Sequence, residues 1–286
     1  MADSNKPFCT LSLDLDNEWS YLKTCGDDTW QDYPSYLDLL IPRMVKVFRQ
    51  AGVKPTIFVV GRDAEMEKNR NALRLLAVEG YEIGNHSHEH EAWVHEKSEE
   101  QLAAEILKAE ESISAVLGNR PQGFRGPGFS SSEAMLTVLR KRGYRYDASS
   151  LPTFIGPLAR LYYFRSSKLS PEQRRSRKLL FGSVKSAFQS NKPYFIGTNG
   201  TSLLEIPVTT IPYLRVPFHI SYVLYLSTFS PRLARFYWRM ALRMCLWTNT
   251  PPSILLHPLD FLGYEDISTL SFFPGMKLSG EVKEAR

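Results

Sequence analysis

The sequence predicts an α/β fold: a parallel barrel of alternating strands and helices. Three observations predict it. Through the first half, short apolar, β-rich runs alternate with stretches of helical periodicity, the pattern of parallel strands joined by crossover helices. At 286 residues the chain has the length of one α/β barrel domain, and 43% hydrophobic with 23% charged residues is enough for one sizeable core. Finally, Asp14, Asp16, His86, Arg125, Asp147 and His257 all follow short apolar runs. In a parallel barrel those strand ends converge on one face.

Residues 8–14 form a buried strand. Residues 36–51 carry Leu37, Leu40, Ile41, Met44, Val45 and Phe48 at helical spacing, and Gly52 ends the helix. A β-rich run at 56–60 stops at Gly61, and a helix over 69–79 stops at Gly80. The short strand 82–85 delivers the cluster His86-Ser87-His88-Glu89-His90. Ser98 and Gln101 form a capping box for a helix through Leu117, followed by Gly118. A strand over 123–125 leads into a Gly-Pro-Gly loop, a helix follows to Arg142, and another strand covers 144–147.

The second half leaves that rhythm. Residues 203–208 and 253–257 read as returning strands, with 158–202 and 212–250 as basic, amphipathic insertions. One barrel domain then spans 8–262, and 263–286 forms a C-terminal tail. Residues 231–247 are an amphipathic helix with Arg232, Arg235, Arg239 and Arg243 along one side and Leu233, Phe236, Tyr237, Met240, Met244 and Trp247 on the other.

Charge is uneven. Residues 158–247 hold fourteen Lys and Arg against Glu172 and Glu205, a balance of +12 in a chain whose net charge is +5. That asymmetry points to an acidic partner. Arginines set among large apolar residues favour an anionic membrane surface over nucleic acid, which is not expected as a partner. The plainer alternative is a helix whose apolar stripe packs on its own core while the charges are solvated.

Cys9, Cys25 and Cys245 make no framework, so a reducing compartment is expected. The polar start shows no signal peptide, and no run approaches the roughly 18 apolar residues of a spanning helix. The expectation is a cytoplasmic protein, peripheral on the inner face of the cytoplasmic membrane.

His86 and His90, with three residues between them, can close on one cation, and a carboxylate from residues 11–16 would complete the set. Two His plus one carboxylate leave open positions, as hydrolytic metals need. Two carboxylates leaving an apolar strand are costly without a cation. Asp14 and Asp16, two apart on a strand, point the same way. His88 and His95 read as solvated surface residues. Asp147 has an alternative as a cap for the loop before Ser149.

The motifs, in order, are Ser12-Leu13-Asp14-Leu15-Asp16, His86-Ser87-His88-Glu89-His90, Arg125-Gly126-Pro127, Tyr146-Asp147-Ala148-Ser149-Ser150 and Leu255-Leu256-His257. Together they resemble the NodB-homology polysaccharide deacetylases, carbohydrate esterase family 4, in a branch with Asp-x-Asp in place of adjacent aspartates. The resemblance covers about residues 8–151 and resumes near 203–208 and 253–260. It implies a distorted (β/α) barrel of about seven strands, of the glycoside hydrolase/deacetylase type. It also implies roles. Asp16, His86 and His90 would hold a divalent metal, zinc first, with cobalt, nickel, manganese and iron(II) compatible. Asp14 would be the general base, Arg125 its partner and His257 the acid for the leaving amine. Ser87 would stabilise the ligand loop, with Asp147 and Pro127 in secondary positions.

The activity so implied is removal of an N-acetyl or N-formyl group from an amino sugar, lipid- or nucleotide-linked. Alternatives are a hydrolase of small cyclic amides or imides on the same fold, a catalytically silent glycan-binding barrel, and a basic membrane scaffold with an incidental metal site.

Overall fold

The computed structural model describes residues 8–167, 169–177, 184–197 and 202–285. Among them eight strands form one sheet: β1 Thr10–Leu15, β2 Thr56–Val59, β3 Glu82–Asn85, β4 Gly123–Phe124, β5 Tyr146–Asp147, β6 Tyr194–Ile196, β7 Leu203–Glu205 and β8 Ser253–Leu256. The helices are α1 Glu18–Cys25, α2 Leu37–Ala51, α3 Gly61–Glu65, α4 Arg70–Val78, α5 Glu99–Leu117, α6 Glu133–Lys141, α7 Gly156–Ser166, α8 Pro171–Ser176, α9 Ile220–Phe229, α10 Pro231–Trp247 and α11 Gly280–Glu284.

The strand order is β6-β7-β5-β4-β3-β2-β1-β8. All neighbours are parallel except β6 and β7, so seven parallel strands carry one antiparallel edge strand. The described pairings leave β6 and β8 as free ends, and the sheet curls into an open half-barrel. The expected distorted barrel is therefore present, with its wall unclosed.

Register explains why the strand ends act together. Leu15 pairs with Val59, Val59 with Asn85, Asn85 with Phe124, Phe124 with Asp147 and Asp147 with Glu205. These six residues make one layer across the sheet. Asp16, His86 and Arg125 are each the next residue after that layer.

The main core lies between the sheet and α2, α4 and α5. Helix α2 buries the six apolar residues read from its periodicity, and Gly52 closes it with φ of 65°. Burying six such side chains contributes on the order of 10 kcal/mol before chain entropy is set against it. Helix α5 keeps its capping box, with Ser98 and Gln101 satisfying each other's backbone amides. The segment after residue 262 joins this core: Ile267, Leu270 and Met276 are buried, and Arg43 on α2 makes a two-pronged pair with Asp266. Of the basic stretch 158–202, the described part forms α7, α8, a 3-10 turn and β6; residues 168, 178–183 and 198–201 lie outside the described residues.

Helix α10 has the expected bounds and an unexpected inner face. It buries the small residues Ala234, Ala241 and Cys245, and the last two pack with Ile211, Phe218 and Ile254. Leu233, Phe236 and Trp247 of the expected apolar stripe are exposed. Small side chains let the helix lie close to the sheet, with Tyr237, Trp238, Met240, Leu242 and Met244 half-buried at the flanks of the contact.

Candidate active site

Along β1, Leu13 and Leu15 enter the core, so Ser12, Asp14 and Asp16 project from the opposite face. Both carboxylates are nearly buried. Arg125, leaving β4, reaches Asp14 across the sheet. Its Nη1 donates to Asp14 Oδ1 at 2.7 Å and to Ser12 Oγ at 3.0 Å, while Nε donates to Ala148 O at 2.9 Å. The guanidinium lies 4.3 Å from the centroid of the Phe58 ring and is fully buried. A buried charge so placed needs this many partners, and the planar fork supplies donors for all of them.

Asp16 faces both histidines. Its Oδ1 lies 3.2 Å from His86 Nε2 and 2.8 Å from His90 Nε2. Burial raises the Asp16 carboxyl pKa, but the two imidazoles outweigh it and hold the group well below the usual carboxylate range. His86 Nδ1 sits 2.7 Å from the Arg125 carbonyl. A carbonyl only accepts, so Nδ1 carries a proton and the ring turns Nε2 toward Asp16. Asp16 Oδ1 and His90 Nε2 are buried and make no angularly acceptable hydrogen bond, despite their proximity. Asp16, His86 and His90 each offer a ligand atom, and these atoms lie within 4.8 Å of one another. A buried carboxylate oxygen and two ring nitrogens that converge in this way suit a shared cation, and the donor set fits a divalent one.

The loop bearing these ligands is tightly held. Ser87 and His90 both adopt left-handed backbone, with φ of 62° and 49°. Ser87 N–H donates to Asn85 Oδ1 at 2.8 Å, Ser87 Oγ accepts from His90 N–H at 3.2 Å, and Ser87 O accepts from Gly61 N–H at 2.9 Å. Glu105 on α5 accepts the amides of His88 and Glu89 at 3.0 and 2.7 Å.

His88 corrects the sequence reading: it is buried, not solvated. Its ring lies against Gly61, where a Cβ would come within 2.7 Å of Nδ1 and 2.6 Å of Ala109 Cα, so α3 and α5 close over it. His88 points away from the ligand atoms, with Nε2 3.2 Å from Glu65. His95 is half-buried, its Nδ1 2.6 Å from Ser130 Oγ.

Asp147 caps the neighbouring turn. It accepts from Ala148 N–H at 2.9 Å and Ser149 Oγ at 2.6 Å, and Ser149 Oγ accepts from Gly126 N–H at 2.8 Å. Its influence therefore reaches the Arg125-Gly126-Pro127 loop through Ser149. Gly126 is required there, since a Cβ would fall 1.9 Å from Ser130 O. Pro127 is buried at the start of the following turn. Glu205, one strand over, hydrogen-bonds Asp147, and burial pushes the carboxyl pKa of both upward.

His257 follows β8, half-buried. Its Nδ1 is 3.1 Å from Ser221 Oγ and its N–H donates to Asp260 Oδ2 at 2.8 Å. The His219 ring centroid lies 5.6 Å from that of His257, and burial holds its pKa well below the usual histidine range. Sequence reasoning missed Ser221, His219, Asp260 and Glu205. Asp260, three residues past His257 in His-Pro-Leu-Asp, carried a legible capping signal; the others stand beside runs without periodicity.

One cleft of about 670 Å³ contains Asp14, Asp16, His86, His90, His219 and His257. Its walls are largely hydrocarbon: Leu158 and Leu161 from α7, Tyr222 and Tyr225 from α9, and Phe272 and Phe273 from the C-terminal segment. Arg125 lies beneath this surface, Asp147 and Pro127 behind it.

Residues 27–146 match the family described as polysaccharide deacetylase. That stretch is therefore similar to a polysaccharide deacetylase domain. The matched stretch holds His86, His90 and Arg125; Asp14, Asp16 and His257 lie outside it and reach the same cleft through the sheet. Over 145 residues the chain is 30% identical to a peptidoglycan deacetylase of Helicobacter pylori, covering 49% of this chain and 46% of that protein. Over 86 residues it is 33% identical to a peptidoglycan-N-acetylglucosamine deacetylase of Bacillus cereus, covering 30% of each. The chain thus spans less than half the length of the curated relatives it matches. A crystal structure described as a polysaccharide deacetylase from Mycobacterium smegmatis superposes with a TM-score of 0.60 at 18% identity, covering 100% of this chain and 92% of that one. That match shows a shared fold, and the family resemblance read from the motifs is borne out.

Proposed function

We propose that this protein is a metal-dependent amide hydrolase that removes an N-acetyl, or N-formyl, group from an amino sugar. One observation carries the reading: the potential ligand atoms of Asp16, His86 and His90 meet in the same cleft as the Arg125-held Asp14 and the Ser221-held His257.

Asp16, His86 and His90 would hold the cation, zinc first among divalent ions. When bound, it supplies Lewis-acid chemistry, polarising the amide carbonyl and acidifying water. Asp14, fixed by Arg125, takes the proton from the attacking water. His257, with Nδ1 engaged by Ser221, uses Nε2 to give a proton to the departing nitrogen, and the C–N bond breaks to release acetate or formate and the free amine. Ser87 holds the ligand loop, Asp147 braces the Arg125 turn through Ser149, and Pro127 fixes its path.

Hydrocarbon walls beside the site support a lipid-linked sugar over a nucleotide-linked one. Arg165 lines the same cleft and has no ion-pair partner among the described residues, which suits a phosphate at the link. Lys283 does not compete for that role: its ammonium donates to Leu259 O and Leu262 O, and burial pulls its pKa down to about 8. Action at the inner face of the cytoplasmic membrane accords with the +12 balance of residues 158–247.

The test is acid release by the metal-analysed protein from N-acyl amino-sugar oligomers, polyprenyl-phosphate-linked and nucleotide-linked N-acyl sugars, and cyclic ureides. Release of acetate or formate from a sugar supports the reading. Turnover of ureides alone, or silence at full metal loading, overturns it.

A further inference from the structure

The outer face of α10 has no use in the chemistry above. Leu233, Phe236 and Trp247 are exposed, and the half-buried Met240 and Met244 join them in a stripe at spacings of three and four residues. Phe236 is 66% and Trp247 88% exposed, and Phe229 on α9 adds a third exposed ring at the hairpin. Arg232, Arg235, Arg239 and Arg243 run beside the stripe, all exposed. None has an ion-pair partner among the described residues, and the sequence explains why: no Asp or Glu occurs between Glu205 and Asp260. The helix thus packs one side on the core and still displays Phe236 and Trp247 beside unpaired guanidiniums on the other.

We propose that the α9–α10 hairpin is an interfacial docking face whose occupant is an anionic lipid bilayer. The unbalanced arginines match an anionic headgroup layer. The stripe runs the length of the helix, about 25 Å at 1.5 Å per residue, so α10 lies flat with its large side chains at the headgroup–acyl boundary. The arginine stems extend along that boundary with their charges in the headgroups. A convex helix face is a poor seat for a rigid partner, whereas a fluid bilayer conforms to it. No helix among the described residues is long and apolar enough to cross a membrane, so the contact is peripheral. Because α9 also lines the cleft through Tyr222 and Tyr225, docking sets the cleft beside the bilayer. The proposal stands on α10 itself and does not require the catalytic reading.

The test is co-sedimentation of the full chain with phosphatidylcholine vesicles, with and without phosphatidylglycerol, at low and high salt. Binding that needs phosphatidylglycerol and is lost at high salt is expected, with a blue shift of tryptophan emission. R239A/R243A is expected to weaken partitioning about thirtyfold, and F236S/W247S to weaken it at unchanged salt dependence. Circular dichroism and thermal melting confirm that both variants fold. A chain that stays in solution with anionic vesicles at low salt overturns the proposal. So does a folded R239A/R243A variant that binds like the parent, or light scattering that shows a dimer dissociated by F236S/W247S, since a second copy would then cover the face.

Discussion

His86 donates its Nδ1 proton to the carbonyl of Arg125, and the guanidinium of that same Arg125 holds Asp14. One residue therefore orients a prospective metal ligand through its backbone and a prospective base through its side chain. The two functions separate by substitution. Arg125→Lys keeps the carbonyl but cannot serve Asp14, Ser12 and Ala148 with one ammonium. We expect kcat to fall about a hundredfold with metal content retained, checked by kinetics beside elemental analysis. Arg125→Met leaves Asp14 buried and unpaired, and a chemical-denaturation midpoint should report a loss of about 3–5 kcal/mol.

Asp14→Asn tests the base directly. The amide keeps the shape and loses the proton acceptor, so turnover should drop by about 10²–10⁴ with metal stoichiometry unchanged. Asp16→Asn should do the reverse first, lowering metal occupancy. If Asp14→Asn retains activity, the base lies elsewhere.

Metal linkage should appear in stability. A cation bound by Asp16, His86 and His90 stabilises the folded chain by about 2.7 kcal/mol at a hundred times its dissociation constant. Chelated protein should melt at a lower temperature, and added divalent ion should restore the melt. His90→Ala should abolish that response. A melting temperature indifferent to chelation and to added ion would remove the metal from the proposed mechanism.

Asp63 should write a pH dependence into stability. It is fully buried and accepts from Asn17, Trp19 and Asn69, yet burial raises its carboxyl pKa to about 7. A raised folded pKa means the folded state holds the proton more tightly than the unfolded state. The contribution is present in full below about pH 4 and is lost as pH rises through about 7, a change of up to about 4 kcal/mol. Asp63→Asn, melted at several pH values, should flatten that slope; an unchanged slope would assign it to other groups.

The cleft walls predict a split between substrates. Leu161→Asp puts a charge on a wall otherwise suited to hydrocarbon. For an N-acyl sugar on a long apolar tail, KM should rise about tenfold, the loss of about 1.5 kcal/mol of apolar burial. For a short soluble N-acyl sugar, KM and kcat should hold. Equal loss on both substrates would mean that the wall positions the sugar and not a tail.

The strand ends were legible because chemistry interrupted pattern there. Asp14, Asp16, His86 and Arg125 stand where apolar runs stop, and a parallel sheet brings such stops together. The cleft roof was not legible. Helix α9 has apolar residues on every side and few polar ones, so no periodicity marked it, and Ser221 and His219 passed unseen with it. His88 misled for a related reason: its burial depends on Gly61 and Ala109, residues distant in sequence whose lack of bulk carries no polarity signal. The bounds of α10 were readable from propensity and capping. Its inner face was not, because three small residues centre the contact and leave Leu233, Phe236 and Trp247 outside it.

The left-handed backbone at Ser87 and His90 is held by hydrogen bonds to Asn85, Gly61 and Ser87 Oγ. Strain of roughly 1–3 kcal/mol at each residue is met when the chain folds. An arriving ion then finds its seat already shaped. Loading speed would follow how quickly each ion sheds its own water shell, so slowly exchanging nickel should enter well after zinc even where both bind tightly at equilibrium.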